Sequence, residues 1–80
     1  MTELQFVAWV RESSSVVLRM ALDQVQTVAG AERIWCAEWD GQRRVDVLRG
    51  AERRIEQLGG AERVQSLVTH VARVAALVPA

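Results

Sequence analysis

The chain has 80 residues, half of them apolar and a quarter charged, and its formal net charge at pH 7 is zero. This length and composition predict one globular domain spanning residues 1–80 and favour a globular over a disordered chain. All ten basic residues are arginines, and the ten acidic residues are interspersed among them. The absence of a basic stripe predicts that nucleic acid is not a partner.

The sequence contains a single cysteine, Cys36, which excludes an internal disulfide and any Cys-x-x-Cys motif. We therefore expect a reducing, cytoplasmic setting. No apolar run reaches the ~18–20 residues of a membrane span, and the N-terminus does not resemble a signal peptide, so we expect no membrane contact. The sequence contains no paired carboxylates, no activated nucleophile, no metal-ligand spacing and no phosphate loop. We therefore expect that the protein is not an enzyme and binds no cofactor or metal.

The first predicted elements are a strand and a helix. Leu4–Val10 is apolar on both faces, which is typical of a strand in the centre of a sheet. Residues Ser13–Ser15 supply hydroxyls that can cap a helix N-terminus. Apolar residues then follow helical spacing from Val17 to Ala29, and Gly30 lies where glycine commonly ends a helix.

A β-hairpin is predicted next. Asp40-Gly41 is a two-residue turn signal between the candidate strands Arg33–Trp39 and Gln42–Leu48. The register that this turn sets pairs Glu38 with Arg43. The same register directs three residues of the first strand to one open face: Trp35, Ala37 and Trp39.

Two interpretations exist for the C-terminal part of the chain. Ala51–Leu58 is a predicted helix that ends at Gly59-Gly60. The sequence Gly-Ala-Glu-Arg follows a helical pattern at both Gly30 and Gly60, and this pseudo-repeat favours a strand at Arg63–Ala72. The alternative is a mostly helical C-terminal half, because Ala61–Leu77 also fits the spacing of one helix.

Together these elements predict an α+β, ferredoxin-like βαββαβ fold, in which two helices cover one face of a four-stranded antiparallel sheet. The other face is open, and the three tryptophans of the chain all point to it. Because such a face would bury much apolar surface, we predict a homodimer packed sheet to sheet. The predicted interface residues are Val7, Trp9, Trp35, Ala37, Trp39, Arg44 and Leu67.

The order of elements over Leu4–Ala72 resembles the ACT domain and the effector domain of leucine-responsive regulators. The segment Leu58–His70, L-G-G-A-E-R-V-Q-S-L-V-T-H, is similar to the last helix, turn and strand of these domains. The resemblance implies dimerisation and amino-acid binding near the first strand–helix loop, which here contains Arg11, Ser13, Ser14 and Ser15. Val64–His70 also resembles the final strand of the chaperone that binds the twin-arginine signal peptide of periplasmic nitrate reductase.

Two functions are expected. The first is a non-enzymatic interaction or regulatory module whose edge strand, Arg33–Trp39, pairs with a peptide or protein partner. The alternative is a sensor of a small metabolite, an amino acid, at a dimer interface. The loop Arg11–Ser15 lacks the glycine that lets a ligand approach the backbone closely, which favours the first function. Cys36 is expected to be a buried, inert thiol, and His70 a surface or partly buried histidine without a catalytic or ligand role.

Overall fold

The computed structural model describes residues 1–77, which form five α-helices and no strand. In chain order the helices are α1 (Glu3–Glu12), α2 (Ser15–Gln24), α3 (Val28–Asp40), α4 (Val45–Gln57) and α5 (Ala61–Leu77). The predicted ferredoxin-like fold is therefore wrong. The resemblances to ACT domains, to leucine-responsive effector domains and to the signal-peptide chaperone are wrong for the same reason.

Helix α4 lies at the centre of the fold and contacts three of the other helices. Helices α2, α3 and α5 all pack against it, and α1 packs against α3. The buried residues Val47, Ala51 and Ile55 recur every four positions on α4, so they form one apolar face, and Leu18 and Leu22 do the same on α2. Each large side chain buried in this way contributes about 1.5–3 kcal/mol to folding.

Polar side chains define where the first three helices begin. Thr2 and Gln5 form a capping box at α1, while Ser14 and Thr27 accept hydrogen bonds from N–H groups in the first turns of α2 and α3. The N-cap predicted within the serine run is thus confirmed at Ser14. Gly30, predicted to end a helix, instead lies in the first turn of α3.

The predicted hairpin is replaced by a helix end. The N–H of Gly41 donates to the carbonyls of Ala37 and Glu38 at 3.1 and 3.2 Å and closes α3. Arg43 then takes a left-handed conformation, with φ of 56°, that starts the connection to α4. Because Arg33–Trp39 is helical, it offers no edge for strand addition, and that predicted mode of peptide binding is wrong.

The segment Ala61–Leu77 is a single helix, which is the alternative weighed from the sequence, and the strand predicted at Arg63–Ala72 is wrong. Gly-Ala-Glu-Arg occurs three times, beginning at Gly30, Gly50 and Gly60, and each copy lies in or enters a helix. Alanine, glutamate and arginine are strong helix formers. The repeat therefore reflects helix propensity and not a helix-to-strand unit.

The helix stop predicted at Gly59-Gly60 is confirmed. Gly59 has a φ of 89°, in the left-handed region that glycine adopts most readily. A Cβ at Gly60 would lie 2.7 Å from Ile55 Cγ2 and 2.8 Å from Val28 Cγ2. Glycine at this second position lets the turn between α4 and α5 lie directly against the start of α3.

Candidate interaction groove between helices α2 and α4

The seven residues predicted as an interface do not share an open face. Trp35, Ala37 and Leu67 are buried in the hydrophobic core. Three others are partly buried and pack against that core: Val7, Trp9 and Trp39. Residues 1–77 contain no sheet, so the predicted tryptophan-rich sheet face does not exist in that part of the chain. Homodimer formation itself stays a prediction.

The aromatic rings stabilise the chain's own helices. Trp35 and Trp39, one turn apart on α3, stack with their ring centroids 5.6 Å apart and an interplanar angle of 12°. The guanidinium of Arg43 lies 4.6 Å from the centroid of the Trp39 ring, within the range of a cation–π interaction. These contacts tie Trp35 and Trp39 to residues of the same chain.

The seventh predicted interface residue, Arg44, belongs to an ion pair with Glu38, whose side chain is fully buried. Arg44 Nη2 lies 2.7 Å from Glu38 Oε1, and the backbone N–H of Arg44 donates to Oε2 at 2.9 Å. The same guanidinium donates to the carbonyls of Val10 and Ser13 at 3.1 and 2.8 Å. The pair thus joins α3 and α4 to the end of α1. The predicted pairing of Glu38 with Arg43 is wrong.

The predicted ligand loop is a tight junction between α1 and α2. The Ser13 hydroxyl donates to the Trp9 carbonyl at 2.6 Å, Ser14 caps α2, and Ser15 is the first residue of that helix. The carbonyl of Arg11 accepts a hydrogen bond from the Gln42 side chain at 2.7 Å. The polar groups of the loop therefore cap and connect helices.

Cys36 lies in a shallow groove of about 390 Å³ between α1 and α3, which Val7 and Ala37 also line. Partial burial raises the pKa of the Cys36 thiol, and the nearby carboxylates of Glu32 and Asp40 raise it further. A nucleophilic cysteine needs the opposite shift, toward the thiolate. The surroundings of Cys36 therefore favour a neutral, unreactive thiol.

The raised pKa of Cys36 predicts slow alkylation. The rate of reaction with iodoacetamide should reach half of its maximum at a higher pH in the folded protein than in the same protein unfolded in urea. Folding disfavours the reactive thiolate, because burial and two carboxylates oppose its charge. Mass measurement of the intact protein reports the reaction, since the chain has one cysteine. A lower pH midpoint in the folded state would show an activated thiol instead.

A second groove, of about 340 Å³, opens between α2 and α4. We call it the α2–α4 groove. Its lining residues include Val16, Arg19, Met20, Leu22 and Asp23 from α2, and Gly50, Arg53 and Arg54 from α4. Val16 and Met20 are 56% and 64% exposed, so this part of α2 presents apolar side chains to solvent.

Gly50, near the middle of α4, lines the groove. A Cβ at Gly50 would lie 3.5 Å from Leu22 Cδ1 and 3.6 Å from Arg19 Cγ, which are ordinary van der Waals distances. Alanine would therefore fit, and it is about 0.5–1 kcal/mol more favourable than glycine inside a helix. Close packing of α2 on α4 does not require this glycine, in contrast to Gly60.

The three arginines of the groove differ in their hydrogen bonds and salt bridges within the protein. Arg54 donates two hydrogen bonds, of 3.0 and 2.7 Å, to the carbonyl of Val25 and so caps the end of α2. Arg19 and Arg53 are exposed, and neither forms a salt bridge within residues 1–77. Asp23 is the one acidic residue among the described groove residues. The groove therefore presents two available cations beside an apolar rim.

Comparison with known proteins gives no further guide, because no family model, no curated protein and no solved structure matches the chain. Within residues 1–77, no three His, Cys, Asp or Glu side chains are placed to hold a metal ion together. None of the described helices has the length and hydropathy to cross a bilayer. The cytoplasmic location stays a prediction.

Proposed function

We propose that the protein is a non-enzymatic interaction module that binds one amphipathic helix of a partner protein in the α2–α4 groove. The observation that carries this proposal is Gly50. It lowers the helix propensity of α4 although the space around it admits a methyl group. The absence of a side chain at Gly50 leaves room in the groove beside Leu22, which is itself 2% exposed, and an apolar side chain of the partner can occupy that room.

A helix suits this groove better than an extended strand. The space between two packed helices accepts the side-chain ridge of a third helix, and a helix satisfies its own backbone hydrogen bonds. Val16 and Met20 lie one turn apart on α2 and form an exposed apolar ridge along the groove. The thioether of Met20 is flexible and can adjust to the side chains that it meets.

Two substitutions at Gly50 separate the role of this residue in folding from its role in binding. Gly50→Ala should raise the free energy of unfolding by about 0.5–1 kcal/mol. Gly50→Leu should preserve the helical circular dichroism spectrum, because its side chain can lie in the open groove. The leucine would occupy the space of the partner's anchor and weaken binding by about 30-fold, the effect of losing an interface hot spot.

The ligand for this test is selected from a library of amphipathic helical peptides of about 18 residues, five turns. Peptides that bind the immobilised protein are measured by titration calorimetry against wild type, Gly50→Ala and Gly50→Leu. Equal affinity for wild type and folded Gly50→Leu would refute binding in the groove. A loss of stability in Gly50→Ala would show that the fold requires the glycine and would remove the argument for the site.

A further inference from the structure

The electrostatics of the α2–α4 groove indicate the charge of its partner. We infer that the bound helix carries Asp or Glu carboxylates along the borders of its apolar face. This inference rests on the proposed function, since it names the partner of the same groove. Its basis is the placement of Arg19 and Arg53, one on each of the two helices that line the groove.

Among the arginines whose side chains have no ion pair or hydrogen bond within residues 1–77, Arg19 and Arg53 are the two that line the α2–α4 groove. Within residues 1–77, five arginines are held by carboxylates, an aromatic ring or a helix end: Arg33, Arg43, Arg44, Arg54 and Arg63. Neither Arg19 nor Arg53 has a hydrogen-bonded carboxylate or carbonyl in that part of the chain. Their guanidinium groups are free to bind planar carboxylates through two parallel hydrogen bonds.

The apolar rim distinguishes a protein partner from a nucleic acid. A phosphate backbone is bound by a stripe of basic side chains, whereas here Val16 and Met20 occupy the surface beside the two arginines. Asp23, one turn after Arg19 on α2, also interrupts the continuous positive surface that a polyanion needs. A helix with an apolar face and separate carboxylates can pack against Val16 and Met20 and can also pair with the two arginines.

The peptide library tests the inference when selection on wild type is combined with removal of every peptide that also binds Gly50→Leu. The remaining peptides, which depend on the groove, should be enriched in Asp and Glu next to their apolar positions. For a selected peptide, Arg53→Glu should weaken binding by about tenfold or more. The matched control is Arg73→Glu, which makes the same charge change on the exposed face of α5 and should leave the affinity nearly unchanged.

The possible failures are distinguishable. Groove-dependent peptides that are neutral or basic would overturn the inference and leave the proposed function standing. If no peptide distinguishes wild type from Gly50→Leu, the proposed function itself fails. An equal loss of affinity in Arg53→Glu and Arg73→Glu would show attraction to net charge alone and overturn the assignment to the groove. Binding of duplex DNA that Arg53→Glu abolishes would overturn it as well.

Discussion

Substituting Glu38 by alanine is expected to lower the free energy of unfolding by about 3–5 kcal/mol. The Glu38 side chain is 0% exposed and that of Arg44 is 22% exposed, so the substitution leaves a mostly buried guanidinium without its counter-charge. It also removes the acceptor for the backbone N–H at the start of α4. Since small domains are typically stable by about 5–15 kcal/mol, a urea titration followed by circular dichroism should show the shift clearly.

The control for this variant is Glu3→Ala, which removes the carboxylate from an ion pair at the protein surface. Glu3 and Arg33 are 71% and 52% exposed, and pairs of this kind contribute about 1 kcal/mol or less. If Glu38→Ala is no more destabilising than Glu3→Ala, the buried pair does not hold the helices together in the way that its geometry indicates.

Substituting Trp35 by alanine is expected to be equally destabilising, by about 3–5 kcal/mol, because the indole is 2% exposed and the variant creates a cavity. The structure thus predicts an effect on folding, whereas an interface residue would affect association. Unfolding in urea and sedimentation mass, measured on the same sample, separate the two effects. Val68→Ala, at a side chain that is 47% exposed on α5, should change stability by only about 0.5 kcal/mol.

A Trp35→Ala variant of unchanged stability but lower sedimentation mass would contradict the core position of this residue. It would restore the dimer interface that the sequence predicted. A homodimer whose mass does not respond to Trp35→Ala would instead place its contact elsewhere on the surface.

The sequence predicted local features of the fold because they depend on one or two residues. A serine hydroxyl caps α2 at Ser14, and left-handed backbone at Gly59 ends α4, both through interactions within a few residues. The helical alternative for Ala61–Leu77 was also visible in its spacing. These features do not by themselves distinguish a helical fold from an α+β fold.

The error over Arg33–Trp39 has a physical cause in the core of α3. Its buried residues include Ala31, Ile34, Trp35 and Glu38, which are spaced as one helical face. Because Glu38 is charged, a search for apolar residues leaves it out. The helical face of α3 is then incomplete in the sequence, and the alternation typical of a strand is the stronger pattern. Only the partner of Glu38, Arg44, explains why a charge lies in the core, and that contact depends on the tertiary fold.

The sequence does not reveal the candidate groove, because the pattern at the start of α4 predicts a strand. If Gln42–Leu48 is a strand, Gly50 lies in the turn before the next helix, where a glycine is common. Once Val45–Gln57 is known to be one helix, the same glycine stands in its middle. The exposure of Val16 and Met20 gave no sequence signal either, because apolar residues on a helix are expected to face the core.

The most direct test of the proposed groove is an NMR titration of the uniformly ¹⁵N-labelled protein with a peptide selected as described above. We expect the largest amide shifts at Arg19, Met20, Gly50 and Arg53, with little change along α5. Shifts centred on Cys36 in the α1–α3 groove, or on α5, would contradict the assignment of the binding site to the α2–α4 groove.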